Sequence, residues 1–327
     1  MATLTMIEAI RQTLRAEMRR DERIMLLGQD IGRLGGVFRA TEGLQAEFGD
    51  ERVVDTPLAE AAIAGSSLGL AAAGLIPVAE FQFFGFTHQA FHQIGAQIAR
   101  FRYRSKGRYP AQLVMRTPFG GNVRTPELHS DAFEAQFAQI PGLKVVLPAT
   151  AHDAGGMLRA AIQDPDPVLY CEPLRGYRLV RDEVPDDDCT VPLGEARVAR
   201  EGDDITLVAW SAAVHVAERA ADKLAADGIE AGVLDLRTLS PLDVETLAAT
   251  VAATGRCVIV HEAPLTGGFA GEIVATLNDE CFYDLEAPVA RVTAPDTPYP
   301  LGPLEEQYIP DVERVVRAVR GVVELAP

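Results

Sequence analysis

The chain is poor in cysteine, in tryptophan and in positive charge. Its 327 residues include four cysteines and one tryptophan, and aromatic residues make up 6%. Cys171, Cys189, Cys257 and Cys281 lie far apart with no Cys-x-x-Cys pair, which excludes a zinc knuckle and a dense disulfide framework. A reduced, cytoplasmic chain is the expectation. Lys and Arg number 30 against 47 Asp and Glu, a net charge of −17, whereas nucleic-acid-binding domains are usually basic. Familiar phosphate loops are missing as well. Gly32-Arg33-Leu34-Gly35-Gly36 lacks dinucleotide spacing, and there is no Walker lysine. His261-Glu262 opens like a zinc-protease motif, but position 265 is Leu, so the second histidine is absent.

Long apolar runs are also lacking. Residues Ala61 to Ala79 carry no charge, yet they are rich in Ala, Gly and Ser and contain Pro77, so they predict a buried helix ended near Gly74 and a strand Ile76 to Phe81, not a membrane span. Gly65-Ser66-Ser67-Leu68-Gly69 matches the serine-hydrolase pattern, but it falls inside that helix, where small residues serve close packing. The start, with charge from Glu8 onward and Ile7, Ile10 and Leu14 at helical spacing, is unlike a signal peptide.

What is present is alternation. Helix Thr5 to Arg20 leads to strands Ile24 to Leu27 and Arg52 to Val54, helix Leu58 to Ala73, strand Ile76 to Phe81 and helix Thr87 to Arg104. Strands Gln112 to Arg116, Leu143 to Leu147 and Val168 to Cys171 follow, with helix His152 to Ile162 before the last. Such alternation predicts parallel sheets covered by helices on both faces. The acid- and proline-rich stretch Arg181 to Gly194 reads as a linker, after which the alternation restarts. The expected fold is therefore α/β with two doubly wound domains, 1–186 and 187–327. The first holds 20 basic and 22 acidic residues, net −2, and the second 10 and 25, net −15.

Two segments look chemical. In Asp55-Thr56-Pro57-Leu58-Ala59-Glu60, a threonine cap and first-turn proline would put Glu60 one turn into a helix that follows a strand, at the sheet end where ligands bind. A first-turn glutamate also simply complements a helix dipole. In the second, the strand running into Arg116-Thr117-Pro118-Phe119-Gly120-Gly121-Asn122 opens a loop that ends in Glu127-Leu128-His129-Ser130. Loop histidines are often only solvated, but loops at strand ends carry catalysis too. The basic run Arg100, Arg102, Arg104, Lys106 and Arg108, interleaved with Phe101, Tyr103 and Tyr109, reads in this acidic chain as a helix end or a subunit contact.

Taken with GQDIGRLGGVFRATEGL, AEFQFFGF, PGLKVVLPAT, LDLRTLSPLD, HEAPLTGGFAGEI and APDTPYP, these segments make the chain resemble the β subunit of the thiamine-diphosphate-dependent 2-oxoacid dehydrogenases, along nearly its whole length. The resemblance implies a thiamine-pyrimidine-binding domain followed by a transketolase C-terminal-like domain. It implies oxidative decarboxylation of a 2-oxoacid, with acyl transfer to lipoamide. Glu60 matches the glutamate that bonds N1′ of the cofactor's aminopyrimidine, Leu58, Gln82 and Phe86 match positions lining its pocket, and His129 matches the active-site histidine. Asp131-Ala132-Phe133, before Glu134, departs from the Ser-Pro-Glu-like run usual there. Backbone carbonyls near Leu113, Ala161, Asp164 and Asp166 match a structural potassium site. The Gly-Asp-Gly motif that anchors magnesium and the diphosphate is absent, so the resemblance implies an α subunit, in an α2β2 heterotetramer that carries the magnesium. It further implies docking of a dihydrolipoyl acyltransferase core on the acidic C-terminal domain. FQFFGF is nearer pyruvate enzymes and HEAPLTGGFAGEI nearer branched-chain ones; an acetoin dehydrogenase β subunit and a non-catalytic scaffold of the same fold are the alternatives.

Overall fold

The structure, a computed structural model, describes residues 2–325 apart from 122, 123, 126 and 186–188. The expected domain boundary at 186/187 and Asn122 lie outside the described residues. The first half of the chain contributes β1 (Ala2–Thr5), β2 (Ile24–Gly28), β3 (Val53–Asp55), β4 (Ile76–Glu80), β5 (Val114–Phe119), β6 (Lys144–Val146), β7 (Val168–Pro173) and β8 (Arg181–Val184). The second half adds β9 (Arg197–Arg200), β10 (Ile205–Ala209), β11 (Ala231–Asp235), β12 (Thr238–Ser240), β13 (Cys257–Pro264) and β14 (Ala290–Ala294).

A seven-stranded sheet runs β12-β6-β7-β5-β4-β2-β3, and a five-stranded sheet runs β14-β13-β10-β11-β9. Both are parallel except at one edge, where β12 and β9 pair antiparallel. Every residue of β4, β5, β7, β10 and β11 is buried, as strands covered by helices on both faces require. The α/β class read from the sequence is the class observed.

Helix boundaries follow local chemistry. Thr5 and Glu8 form a capping box on helix Met6–Arg20, Thr150 caps Ala151–Gln163 and Asp243 caps Val244–Thr254. The first two of these helices pack together around a buried ion pair, Arg159 Nε to Glu17 Oε1 at 2.9 Å. In helix Glu60–Ala72 the Ser67 hydroxyl is buried and donates to the Ile63 carbonyl at 2.8 Å, so the serine-hydrolase pattern is a packing feature.

Four stretches differ from the sequence expectation. Arg181–Val184, read as linker, is a strand that pairs antiparallel with β1, and Thr5 is a cap rather than a helical residue. Two short, partly exposed segments satisfy one another's backbone, a long-range pairing that periodicity does not reveal. Residues expected to form one helix, Thr87 to Arg104, fall in a tight 3-10 segment at Phe84–Ala90, a wider π-helical segment at His92–Ile98 and one α-turn at Phe101–Arg104. Helix Glu60–Ala72 starts two residues late, because Thr56 N–H still bonds Gly28 O and Pro57 holds Thr56 extended; Ala59, not Thr56, is at the cap. Finally β12, far into the second half, joins the first sheet through Thr238↔Val146, so the two halves share an edge.

Candidate active site

The first sheet has a switch point between β2 and β4. From β2 the chain moves to β3 on one side, and from β4 to β5 on the other, so a crevice opens beyond the carboxyl ends of β2 and β4. All five side chains singled out at the sheet end follow strands of this rim: Leu58 and Glu60 after β3, Gln82 and Phe86 after β4, His129 after β5. Gln82 spans the crevice, donating to Asp30 Oδ2 at 3.0 Å. The Asp55 carboxylate pins the facing loop by accepting from Gly32 N–H at 2.6 Å and Arg33 N–H at 3.3 Å.

His129 sits against two aromatic edges, with its ring 4.3 Å from Phe83 and 4.9 Å from Phe86 between centroids. The Phe84–Ala90 segment that carries Phe86 packs on helix Glu60–Ala72 on one side and on the Glu127–His129 turn on the other. The second contact demands glycine: a Cβ on Gly85 would lie 2.0 Å from Leu128 O. Gly85 therefore brings the histidine turn onto the aromatic wall.

Two polar groups in this array are buried without a partner among the described residues. They are Oε2 of Glu60, whose residue is 3% exposed, and Nδ1 of His129. Buried polar atoms are normally bonded, so an orphaned carboxylate oxygen at a strand-end crevice fits a ligand that brings a donor. An aminopyrimidine ring with a protonated nitrogen is such a ligand, and Phe86 and Gln82 are of the types that stack and orient a ring. Leu58, by contrast, is 65% exposed, and with exposed Leu34, Val37 and Leu128 it leaves an apolar fringe on the loops of this rim.

The four residues matched to potassium lie elsewhere. Leu113 precedes β5, Ala161 is in the last turn of helix Ala151–Gln163, and Asp164 and Asp166 precede β7, so they gather at the amino ends of the strands. Leu113 O accepts from Val168 N–H at 3.1 Å, Lys144 pairs with Asp164, and Arg102 pairs with Asp166 at 2.8 Å.

Sequence reasoning missed several groups. Arg116 of β5 is buried between Glu80, at 2.8 Å, and Glu172, at 2.6 Å, and Tyr177 donates to Glu172 at 2.5 Å. Burial pushes the Glu80 carboxyl up, with the Arg116 charge opposing. Glu262 accepts from Gly121 N–H at 2.9 Å, and Trp210 donates to Glu134. For Glu80, Arg116, Glu172 and Glu262 the signal was a charged residue within an apolar strand; Glu134, in a short helix, gave none.

Residues 2–178 match the family described as the transketolase pyrimidine binding domain and residues 194–315 the transketolase C-terminal domain. The fold is thus that of a transketolase-type pair of domains. A split-gene transketolase, solved as an inactive β4 tetramer, superimposes with a TM-score of 0.81 at 26% identity over all of both chains. The β subunits of the pyruvate dehydrogenase E1 component from Bacillus subtilis (strain 168) and Staphylococcus epidermidis are 50% and 47% identical over 324 residues, covering 99% of this chain and 100% of theirs. The corresponding subunit of Staphylococcus aureus is 45% identical over the same span. The chain belongs to the family of 2-oxoacid dehydrogenase E1 β subunits, which works with thiamine diphosphate.

Proposed function

We propose that this chain supplies the pyrimidine half of a thiamine-diphosphate site in an α2β2 enzyme that decarboxylates pyruvate and passes the acyl group to lipoamide. The observation that carries the reading is the buried, unbonded Glu60 carboxylate oxygen at the strand-end crevice, in a chain about half identical to pyruvate dehydrogenase β subunits. Thiamine diphosphate held there would supply a nucleophilic thiazolium carbon and an electron sink for the decarboxylation. The Glu60 carboxyl is placed to hydrogen-bond the pyrimidine N1′ position. Gln82 and Phe86 orient the ring, Leu58 borders it, and His129 transfers protons and guides the incoming lipoyl group.

The missing Gly-Asp-Gly motif and the exposed fringe of Leu34, Val37, Leu58 and Leu128 support an α subunit that closes the site and holds magnesium and the diphosphate. Potassium near Leu113, Ala161, Asp164 and Asp166 is part of the proposal, supported by their gathering at one corner of the sheet. The acidic second half is proposed to dock the dihydrolipoyl acyltransferase. Four free thiols suit a cytoplasmic setting.

Calorimetry tests the shared site. The purified chain should not bind thiamine diphosphate tightly in the presence of magnesium, and the co-expressed α and β chains should. Tight magnesium-dependent binding to the single chain overturns the reading. Steady-state assays of the assembled enzyme with pyruvate, 3-methyl-2-oxobutanoate and 4-methyl-2-oxopentanoate decide the substrate, with pyruvate expected to give the highest kcat/KM.

A further inference from the structure

The loop that carries His129 belongs to the first sheet, but much of what holds it comes from the second half of the chain. At its start Gly121 N–H donates to Oε1 of Glu262, in β13, at 2.9 Å. Further along, Arg124 N–H donates to Glu305 Oε2 at 3.0 Å, and the Arg124 guanidinium reaches Glu306 at 3.3 Å. Glu305 also accepts from the Tyr299 hydroxyl at 2.5 Å. Beyond His129, Glu134 accepts from Trp210, at the end of β10.

The sequence is built for this approach. A Cβ on Gly120, whose φ is +78°, would lie 1.9 Å from Glu262 Oε1. A Cβ on Gly121 would lie 1.8 Å from the Tyr299 hydroxyl. Only a pair of glycines lets a carboxylate and a phenol close on this backbone from another domain.

We propose that Glu262 is a positioning residue of the active site: its carboxylate fixes the Gly121 amide, where the segment leading to His129 begins, and so sets where His129 stands. This rests on reading His129 as the proton-transfer group. An amide bonded to a carboxylate is held about twice as strongly as one bonded to a neutral acceptor, so the grip depends on ionisation. The groups facing Glu262 are Arg175 beyond β7, Glu305 in the turn Glu305–Tyr308, Tyr308 itself and Glu134 of the first domain. Although Glu262 keeps some exposed surface, protein surrounds its carboxyl, and this burial pushes it up to about 7; the Gly121 bond and Arg175 oppose the shift and Glu305 adds to it. The loop is therefore gripped above neutrality and loosened below it.

Hydrogen exchange on the peptide spanning the Gly120–His129 loop, read by mass spectrometry on the full chain and corrected for intrinsic rates, tests this. In the native chain, protection should be greater by about 3- to 10-fold at about pH 8 than at about pH 6. Glu262→Gln keeps an acceptor but no charge, so the rise in protection from about pH 6 to about pH 8 should disappear in it. Glu262→Ala should show low protection at both, with kcat of the assembled enzyme down about 10-fold and KM for the 2-oxoacid within about 2-fold. A rise in protection with pH that persists in Glu262→Gln, or native protection in Glu262→Ala, overturns the proposal; if Glu262→Ala does not fold, Glu262→Gln alone decides. The exchange readout needs no turnover, so failure of the 2-oxoacid assay and failure of this grip are separate results.

Discussion

The indole N–H of Trp210 donates to Oε1 of Glu134 at 3.1 Å, joining the end of a second-sheet strand to the helix that follows the histidine loop. The same indole stacks on His261, with centroids 5.0 Å apart and planes 13° from parallel. Burial holds His261 near 3, with the Arg291 charge adding, so the ring is neutral at physiological pH. Glu134 has a second oxygen without a partner among the described residues, and burial pushes its carboxyl up to about 7 despite the Trp210 bond.

Glu134 should therefore make stability fall as pH rises. Its folded value, about 7, lies above its ordinary 4.5, so the folded state binds the extra proton between them. The contribution is fully present below about pH 4.5 and is lost as pH climbs through 7. Glu134→Gln keeps the acceptor for Trp210 and removes the ionisation. Urea denaturation should show the variant gaining on the native chain between about pH 5 and 8, by up to about 3 kcal/mol. A constant difference across that range would contradict the assignment. Asp235 and Glu262 are shifted in the same direction, so part of the native slope should survive in the variant.

The buried Arg116 gives a second prediction. Arg116→Met strands Glu80 and Glu172 in the sheet without their cation, a change that typically costs about 3–5 kcal/mol. Adding Glu172→Gln should recover part of that, since one buried charge disappears while Tyr177 keeps an oxygen to bond. Equal midpoints for native chain and Arg116→Met in urea would show that the trio is not a stabilising unit.

Glu60 and His129 should fail differently. Glu60→Ala removes the carboxyl proposed to bond the pyrimidine, so decarboxylation with an artificial acceptor and overall flux should both collapse. His129→Ala should still bind cofactor and show its largest defect in acyl transfer to lipoamide. Loss of a positioned acid or base typically costs about 10²- to 10⁴-fold. Near-native artificial-acceptor turnover in Glu60→Ala would sink the role given to that residue.

The parallel strands were legible because burial on both faces leaves unbroken apolar runs, as in Ile24 to Leu27 or Ile76 to Ala79. The pairing of Ala2–Thr5 with Arg181–Val184 was not, because neither segment has a buried face long enough to imprint a period. Residues 87–104 have helical composition, but contacts far along the chain set their turns; a Cβ on Gly95 would lie 3.1 Å from Ile140. At the site, Glu60 alone resembles any first-turn acid, and only the company of DTPLAEAAIAG and the histidine loop gives it a role. Glu262 was hidden inside a motif that suggested zinc. Its partner, a backbone amide 141 residues away, has no side chain to read.

The charge division predicts how the enzyme docks. Residues 187–327 carry −15 and residues 1–186 only −2, and an enzyme of anionic 2-oxoacids gains nothing from acidity near its mouth. A strongly acidic domain attracts a basic partner and speeds the encounter, and the resembled complexes use a small basic domain of the acyltransferase for this contact. Solubility alone is the competing explanation for surface acid, and salt separates the two. Exposed interfacial charge acts mainly on the association rate and is screened as the Debye length falls from about 10 Å at 0.1 M to about 3 Å at 1 M. Surface plasmon resonance of the assembled enzyme against that basic domain should show association slowing steeply with salt. Neutralising acidic side chains confined to residues 187–327 should reproduce the slowing at low salt, whereas an association rate indifferent to both changes would leave the acidity with no part in docking.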